Sequence, residues 1–226
     1  MFYWDYTMVF LIPGLILGLW AQAKVRSAYE KYGRVPTHLG LPAREAVRQL
    51  LARSGADPVA IAPVSGQLTD HYDPRSNTLR LSEGVYDSSS VAALGIAAHE
   101  AGHALQKQES YPFLALRSLM VPVVNIGSHL AWPIFFLGLL SSWEPLMGVG
   151  IGLFALVVLF SLVTLPVEID ASRRAVRMLN DAAMLTNDEE AGVKKVLSAA
   201  ALTYVASFVS ALMQLLRLLA IARRRR

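Results

Sequence analysis

The stretch GVGIGLFALVVLFSLVTLPVEID (residues 148–170) decides the fold of this chain of 226 residues. It has almost no polar side chain before Glu168. It is also long enough to cross a bilayer, which requires about 20 apolar residues in a helix. Three further uncharged stretches reach the required length, at residues 6–23, 118–143 and 196–216. These segments together predict a mainly α integral membrane protein with about four transmembrane helices.

The composition also favours a membrane protein. Hydrophobic residues make up 54% of the chain and charged residues 17%, whereas soluble domains have about 25% charged residues. The formal net charge of +4 equals the charge of the four terminal arginines, residues 223–226. It therefore indicates contact with a lipid bilayer surface and no nucleic-acid binding. The absence of cysteine excludes disulfides and thiolate metal ligands, so a metal must be held by histidine and carboxylate groups.

The distribution of charge divides the chain into membrane segments and membrane-face segments. The expected membrane helices are residues 1–23, 118–143, 145–167 and 196–226, the last being transmembrane or interfacial and ending in the arginine tail. The first has no basic region before its apolar run and no small-residue cleavage site after it, so we interpret it as a retained anchor. Residues 24–117 are charged and predict a small α+β region at one membrane face. Residues 168–195 predict a further helical segment.

Within the membrane-face region, the sequence predicts a helix followed by strands. Residues 41–53 (LPAREAVRQLLAR) have an apolar stripe with helical spacing, and residues 59–82 indicate two or three strands with a turn at residues 73–77. The strand at residues 78–82 is expected either to offer its edge to a peptide substrate or to be an ordinary hairpin strand. A serine-rich segment then indicates a helix N-terminus, and a helix is expected over about residues 88–108.

Inside this helix, residues 99–103 read HEAGH. Side chains four residues apart lie on the same helix face, so His99 and His103 can direct two imidazoles at one metal ion. Glu100 lies beside them, where its carboxylate can reach a water at the metal. This H-E-x-x-H arrangement is typical of zinc metalloproteases, in which the glutamate is the general base. Gly102 predicts that another segment packs close to the helix backbone.

A catalytic zinc site usually has a third protein ligand, and the sequence offers two candidates. Glu168 lies at the end of the third apolar stretch, where ionisable residues are costly and often functional. Two membrane crossings separate it from His103, so the chain returns to the same membrane face and the two side chains can meet. Asp170 is the alternative, either as the ligand itself or as an acceptor for a ligand histidine. Glu168 could instead form only an ion pair with Arg173 or Arg174.

Two other histidines have less support as functional groups. His129 lies with Asn125 inside the second apolar stretch. There it either stabilises an oxyanion or lines a water pocket, or, as we prefer, hydrogen-bonds a neighbouring helix. His71 precedes the predicted turn and is expected at the surface.

The segments HEAGHALQ and LPVEIDASRRA, with a membrane hairpin between them, resemble the YugP-type neutral zinc metallopeptidases of bacterial membranes. Residues 69–100 (TDHYDPRSNTLRLSEGVYDSSSVAALGIAAHE) also resemble that family, and the likeness extends over about residues 29–218. The resemblance implies a zincin-like catalytic region with one Zn²⁺ ion. It implies metal binding by His99, His103 and Glu168, and a catalytic Glu100.

A more distant resemblance is to membrane-embedded CAAX-type and heat-shock-type proteases. In those proteins an aspartate follows the ligand glutamate by four residues. Here that position is Ser172. Asp170 is therefore expected to take over the role of the aspartate.

These features predict a multi-pass cell-membrane zinc endopeptidase of the gluzincin-like type, acting on protein or peptide substrates that include membrane proteins. The alternatives are a catalytically silent zinc-binding scaffold and, with less support, a zinc carrier. The carrier is disfavoured because the central stretches hold one histidine and no carboxylate. The excess of Lys and Arg on the site face predicts a cytoplasmic active site. If the last apolar stretch spans the membrane, the arginine tail then lies outside, against the same rule, so either that stretch lies partly in the interface or the site faces outward. The sequence leaves the oligomeric state open.

Overall fold

The computed structural model describes residues 6–223, which are mainly helical. A 3₁₀ helix, Tyr6–Leu11, is followed by α1 (Ile12–Tyr32) and α2 (Ala43–Arg53). A small sheet comes next, with the strands β1 (Ala60–Val64), β2 (His71–Asp73) and β3 (Thr78–Ser82). The remaining helices are α3 (Glu83–Tyr86), α4 (Val91–Gln108), α5 (Pro112–Leu140), α6 (Glu144–Asp181) and α7 (Asn187–Arg223).

Four helical segments are long and apolar enough to span a membrane, namely Tyr6–Tyr32, α5, α6 and α7. The prediction of a mainly α membrane protein with a small sheet is therefore confirmed. Helix α6 continues without a break through Glu168, and α7 is likewise continuous through residue 196. Residues 1–5 of the expected first helix and residues 224–226 of the arginine tail lie outside the described residues.

The chain divides into two compact units, each built from separate parts of the sequence. Residues up to 22, residues 115–166 and residues from 202 form what we call the apolar unit. Residues 23–114 and 167–201 form the second, which we call the site unit because it contains the HEAGH segment.

Close helix packing holds the apolar unit together. Phe135, Met147 and Leu218 form a buried cluster. A Cβ atom on Gly150 would lie 2.7 Å from the backbone nitrogen of Phe135, so only glycine permits this approach of α6 to α5. Membrane helices associate through such close contacts between small residues, because lipid provides no hydrophobic driving force. Large apolar side chains elsewhere in the unit, such as Leu140, are exposed, as a lipid-facing surface requires.

The sheet in the site unit has the strand order β1-β3-β2, with β3 parallel to β1 and antiparallel to β2. The predicted strands and the turn after Asp73 are confirmed. The expectation that residues 78–82 offer a free edge is wrong, because β3 is the central strand and both of its edges are paired. The central strand is also buried, and Leu79 and Leu81 are completely inaccessible to solvent.

The core of the site unit packs α2, α3 and β3 against α4. Val47, Leu50 and Val85 are buried there, and the predicted apolar stripe of α2 is confirmed as its buried face. Helix α4 begins as predicted, with the Ser90 hydroxyl accepting a hydrogen bond from the backbone N–H of Ala93 at 3.2 Å. This cap satisfies one of the free N–H groups of the first turn and fixes where the helix starts.

Candidate metal centre

Helices α4 and α6 bring three potential metal ligands together in the site unit. The Nε2 atoms of His99 and His103 lie 3.3 Å and 3.6 Å from Oε2 of Glu168. The ligand atoms of all three residues lie within 4.8 Å of one another. Glu168 is only 2% exposed, so its charge is held away from water. The convergence expected from the two membrane crossings is therefore present in the fold.

The close approach of α4 to α6 depends on Gly102. A Cβ atom at this position would lie 2.6 Å from the carbonyl oxygen of Ala171 on α6. Real Cβ atoms do not come so close, so only glycine fits between the two histidines and the opposite backbone. The predicted close packing against this helix is confirmed, and the packed segment is the one that carries Glu168.

Each imidazole has a second hydrogen-bonding partner on its far nitrogen. Nδ1 of His103 lies 3.0 Å from Oε1 of Gln106, and Nδ1 of His99 lies 3.1 Å from Oγ of Ser172. Both rings therefore direct Nε2 towards Glu168. Metal-binding histidines commonly make this outer contact, because it fixes the ring orientation and the tautomer.

A chain of polar groups continues outward from Gln106. Its Nε2 atom donates to the carbonyl oxygen of Val167 and to Oδ2 of Asp170, each at 2.8 Å. Arg174 donates from Nε to the same Asp170 oxygen at 2.6 Å and from Nη1 to Glu109 at 2.6 Å. Asp170 thus lies behind Gln106 and adds no atom to the cluster found among residues 6–223. Arg174 forms ion pairs with Asp170 and Glu109 and is thus the outermost cation of this chain of polar groups.

Sequence reasoning missed Gln106 and Ser172. It expected Asp170 to replace the missing aspartate at the Ser172 position, but the Ser172 hydroxyl itself contacts His99. Within the part of the chain that the structure describes, Asp170 reaches a histidine only through Gln106. A signal for both residues was present in their spacing, because Gln106 follows His103 by three residues and Ser172 follows Glu168 by four, which places each pair on one helix face.

The electrostatics of the cluster favour a positive charge. Burial by itself disfavours a charged imidazole, but the hydrogen bond to Glu168 and the charge of Glu100 outweigh it, so the pKa of His103 is raised. The same carboxylates stabilise a metal cation, which competes with the proton for the imidazole.

Glu100 is 8% exposed and lies on α4 between the two histidines. Within residues 6–223 its carboxylate has no hydrogen bond or ion pair, while its charge acts on His103. A carboxylate in this situation is available to accept a proton from a water or a substrate.

The other predicted polar residues lie elsewhere. His129 and Asn125 have exposed side chains on α5, and neither side chain has a hydrogen-bond partner among the residues that the structure describes. The neighbouring-helix partner preferred for His129 is thus not found there. His71 is exposed as expected, and its Nδ1 atom lies 2.8 Å from the carbonyl oxygen of Thr69.

The donor set of the cluster fits zinc. Two imidazole nitrogens and one carboxylate oxygen form the His₂Glu set that catalytic zinc sites use, and three protein ligands leave a position open. Exposed acidic clusters often bind nothing, but here the carboxylate is buried and both imidazoles are oriented towards it. Fold and site together define a membrane protein with a buried centre suited to catalytic zinc.

Comparisons with known proteins agree with this class. A family model described as "Putative neutral zinc metallopeptidase" matches residues 7–223. The chain is 48% identical over 206 residues to the "Putative membrane protease YugP" of Bacillus subtilis (strain 168). The aligned region covers 91% of this chain and 92% of that protein. No solved structure matches. The chain belongs to the neutral zinc metallopeptidase family, and zinc is accordingly its metal cofactor.

Proposed function

We propose that this chain is an integral-membrane endopeptidase in which His99, His103 and Glu168 hold one zinc ion and Glu100 is the general base. The observation that carries the proposal is the convergence of a helix-borne His pair and a buried carboxylate from a separate helix. Glu100, without a partner among residues 6–223, lies beside that convergence. A site built only to hold zinc for structure needs no such carboxylate.

The residues of the chain have distinct roles in this mechanism. Zinc, when bound, supplies Lewis acidity that polarises the scissile carbonyl and lowers the pKa of a water. Glu100 accepts a proton from the attacking water and passes it to the nitrogen of the leaving amine. The hydroxide oxygen forms the new bond to the carbonyl carbon, and the carbon–nitrogen bond breaks as the amine takes the proton. Gln106 and Ser172 hold the two imidazoles in place throughout.

Substrate and location follow from the same features. The substrates are proteins or peptides, including membrane proteins, because the catalytic groups belong to a chain with four apolar helices. We place the protein in the cell membrane as a multi-pass protein with its site in the cytoplasm. Basic residues flanking the first apolar stretch, among them Lys24 and Arg34, support this orientation.

The test replaces Glu100 by an amide. The variant Glu100→Gln should retain zinc and lose proteolysis of an unfolded membrane-protein substrate, since the amide cannot accept the proton. The matched control is Glu83→Gln, which alters an exposed glutamate of the same unit and should leave both measurements unchanged. Full proteolysis by Glu100→Gln would remove Glu100 as the base. Zinc binding without any proteolysis in the unaltered protein would indicate a silent scaffold.

A further inference from the structure

We propose that Gln106 is a positioning residue that sets the tautomer of His103, so that Nε2 of this imidazole presents its lone pair to the metal. The inference rests on the ligand role of His103 in the proposed function. Gln106 acts through His103 and touches neither metal nor substrate.

The orientation of the Gln106 amide is fixed by its surroundings. Gln106 is 0% exposed, so its polar atoms must find partners inside the protein. Its Nε2 atom faces the carbonyl oxygen of Val167 and a carboxylate oxygen of Asp170. Both of these groups can only accept hydrogen bonds, so the NH₂ end of the amide must face them. A flipped amide would direct its oxygen at two acceptors, and that buried oxygen would have no donor there.

The orientation of the amide determines where His103 carries its proton. With NH₂ directed at Val167 and Asp170, Oε1 of Gln106 faces Nδ1 of His103 at 3.0 Å. An amide oxygen only accepts, so Nδ1 must carry the hydrogen. A neutral imidazole has one N–H group, so Nε2 is left unprotonated. Nε2 is the atom on the side of Glu168, at 3.6 Å from its carboxylate.

The amide is in turn anchored by an ion pair. Arg174 donates to the same oxygen of Asp170 that Gln106 contacts, and its other nitrogen reaches Glu109 at the end of α4. Arg174 holds Asp170, and Asp170 holds the NH₂ end of Gln106. Groups on α6 therefore fix which end of the amide faces His103. His99 has no equivalent, because the Ser172 hydroxyl can donate or accept. The geometry thus presets the tautomer of one ligand of the pair.

Two replacements of Gln106 separate orientation from packing. Gln106→Met keeps the volume of the side chain and removes every hydrogen bond. Gln106→Glu keeps an acceptor for the Nδ1–H group of His103, and its other oxygen keeps a donor towards Asp170 because two adjacent carboxyl groups share one proton. The matched control is Gln108→Met on the same helix. The Gln108 side chain hydrogen-bonds Gly55 and Asp57, and within residues 6–223 it has no hydrogen bond to a histidine. The measurements on the full-length chain in detergent are the zinc dissociation constant from chelator competition and the visible spectrum of the cobalt-substituted protein.

We expect Gln106→Met to lose about 10–100-fold in zinc affinity and to have an altered spectrum with cobalt. Gln106→Glu should recover most of the affinity, and Gln108→Met should match the unaltered protein. The proposal is overturned if Gln106→Met binds zinc normally with an unchanged spectrum, or if Gln106→Glu is as weak as Gln106→Met. If Gln106→Met does not fold, Gln106→Glu decides, since a loss beyond about tenfold contradicts the proposal and a smaller one supports it.

His103→Ala distinguishes failure of this inference from failure of the proposed function. Normal zinc affinity in His103→Ala would refute the proposed ligand set itself. Loss of zinc in His103→Ala together with normal binding by Gln106→Met would refute only the role of Gln106.

Discussion

Replacing Gly102 by alanine should weaken zinc binding although it adds only one methyl group. Gly102 lies next to His103 on α4, and its nearest neighbour is the carbonyl oxygen of Ala171, three residues beyond Glu168 on α6. The two helices that supply the ligands therefore meet at this glycine. An added Cβ atom must push the two helices apart at this point, and their separation here sets the distances between the ligand atoms.

The size of the effect follows from the local geometry. The new Cβ atom would lie 2.6 Å from the Ala171 oxygen, whereas an unstrained contact is about 3.5 Å. The helices must therefore separate by about 0.9 Å, and metal–ligand distances tolerate about 0.2 Å. Alanine gains about 1 kcal/mol in helix propensity, but overpacking costs about 1–3 kcal/mol. Net stability should fall by up to about 2 kcal/mol, and zinc affinity should fall by at least about tenfold, or 1.4 kcal/mol.

Gly95→Ala is the matched control on the same helix. A Cβ atom there would lie 3.2 Å from a methyl group of Val193, a side-chain atom that can move by the few tenths of an ångström required. This variant should keep normal zinc affinity and unfold at an equal or higher temperature. The assay is chelator competition for zinc, with thermal unfolding of the metal-free protein. Equal zinc affinities for Gly102→Ala and Gly95→Ala would refute the reasoning.

Three further predictions concern the site and its location. Zinc affinity should fall as the pH is lowered, by up to about tenfold per pH unit from His103 alone. Because the pKa of His103 is raised, protons begin to compete with zinc for this imidazole at pH values above the ordinary imidazole pKa. A zinc affinity independent of pH between 8 and 5 would contradict this. His129→Leu should leave the zinc content of the purified protein unchanged, whereas zinc loss would favour a carrier path through α5. Because the chain has no cysteine, Ser76→Cys gives a single thiol, which should react in intact cells only with membrane-permeant reagents if the site is cytoplasmic.

The part of the site that depends on local spacing could be predicted from the sequence. The His pair and Glu100 follow from helical periodicity, and the return of Glu168 follows from counting two membrane crossings. Both arguments need only the rise and turn of a helix. The four apolar helices followed from composition in the same way, and the structure confirms them.

The features that depend on packing between elements could not be predicted. The central position of β3 was missed because the alternation of apolar and polar residues in one strand does not reveal the order of the strands in the sheet. Gln106 and Ser172 were missed because each makes its decisive contact across the gap between α4 and α6. The Gln106 amide is held by Val167 and Asp170 on α6. The Ser172 hydroxyl on α6 contacts His99 on α4. The side of each helix that meets the other depends on where glycine permits close approach, as at Gly102.

The zinc content of the purified Glu168→Ala variant tests the central claim most directly. Zinc analysis of the unaltered protein should give one ion per chain, and Glu168→Ala should lose most of it because a buried ligand is removed. Asp170→Asn tests the alternative ligand. It should retain the ion, because among residues 6–223 Asp170 reaches the site through Gln106 and the asparagine oxygen can still accept that hydrogen bond. Normal zinc in Glu168→Ala, together with loss of zinc in Asp170→Asn, would contradict the account and move the third ligand to Asp170.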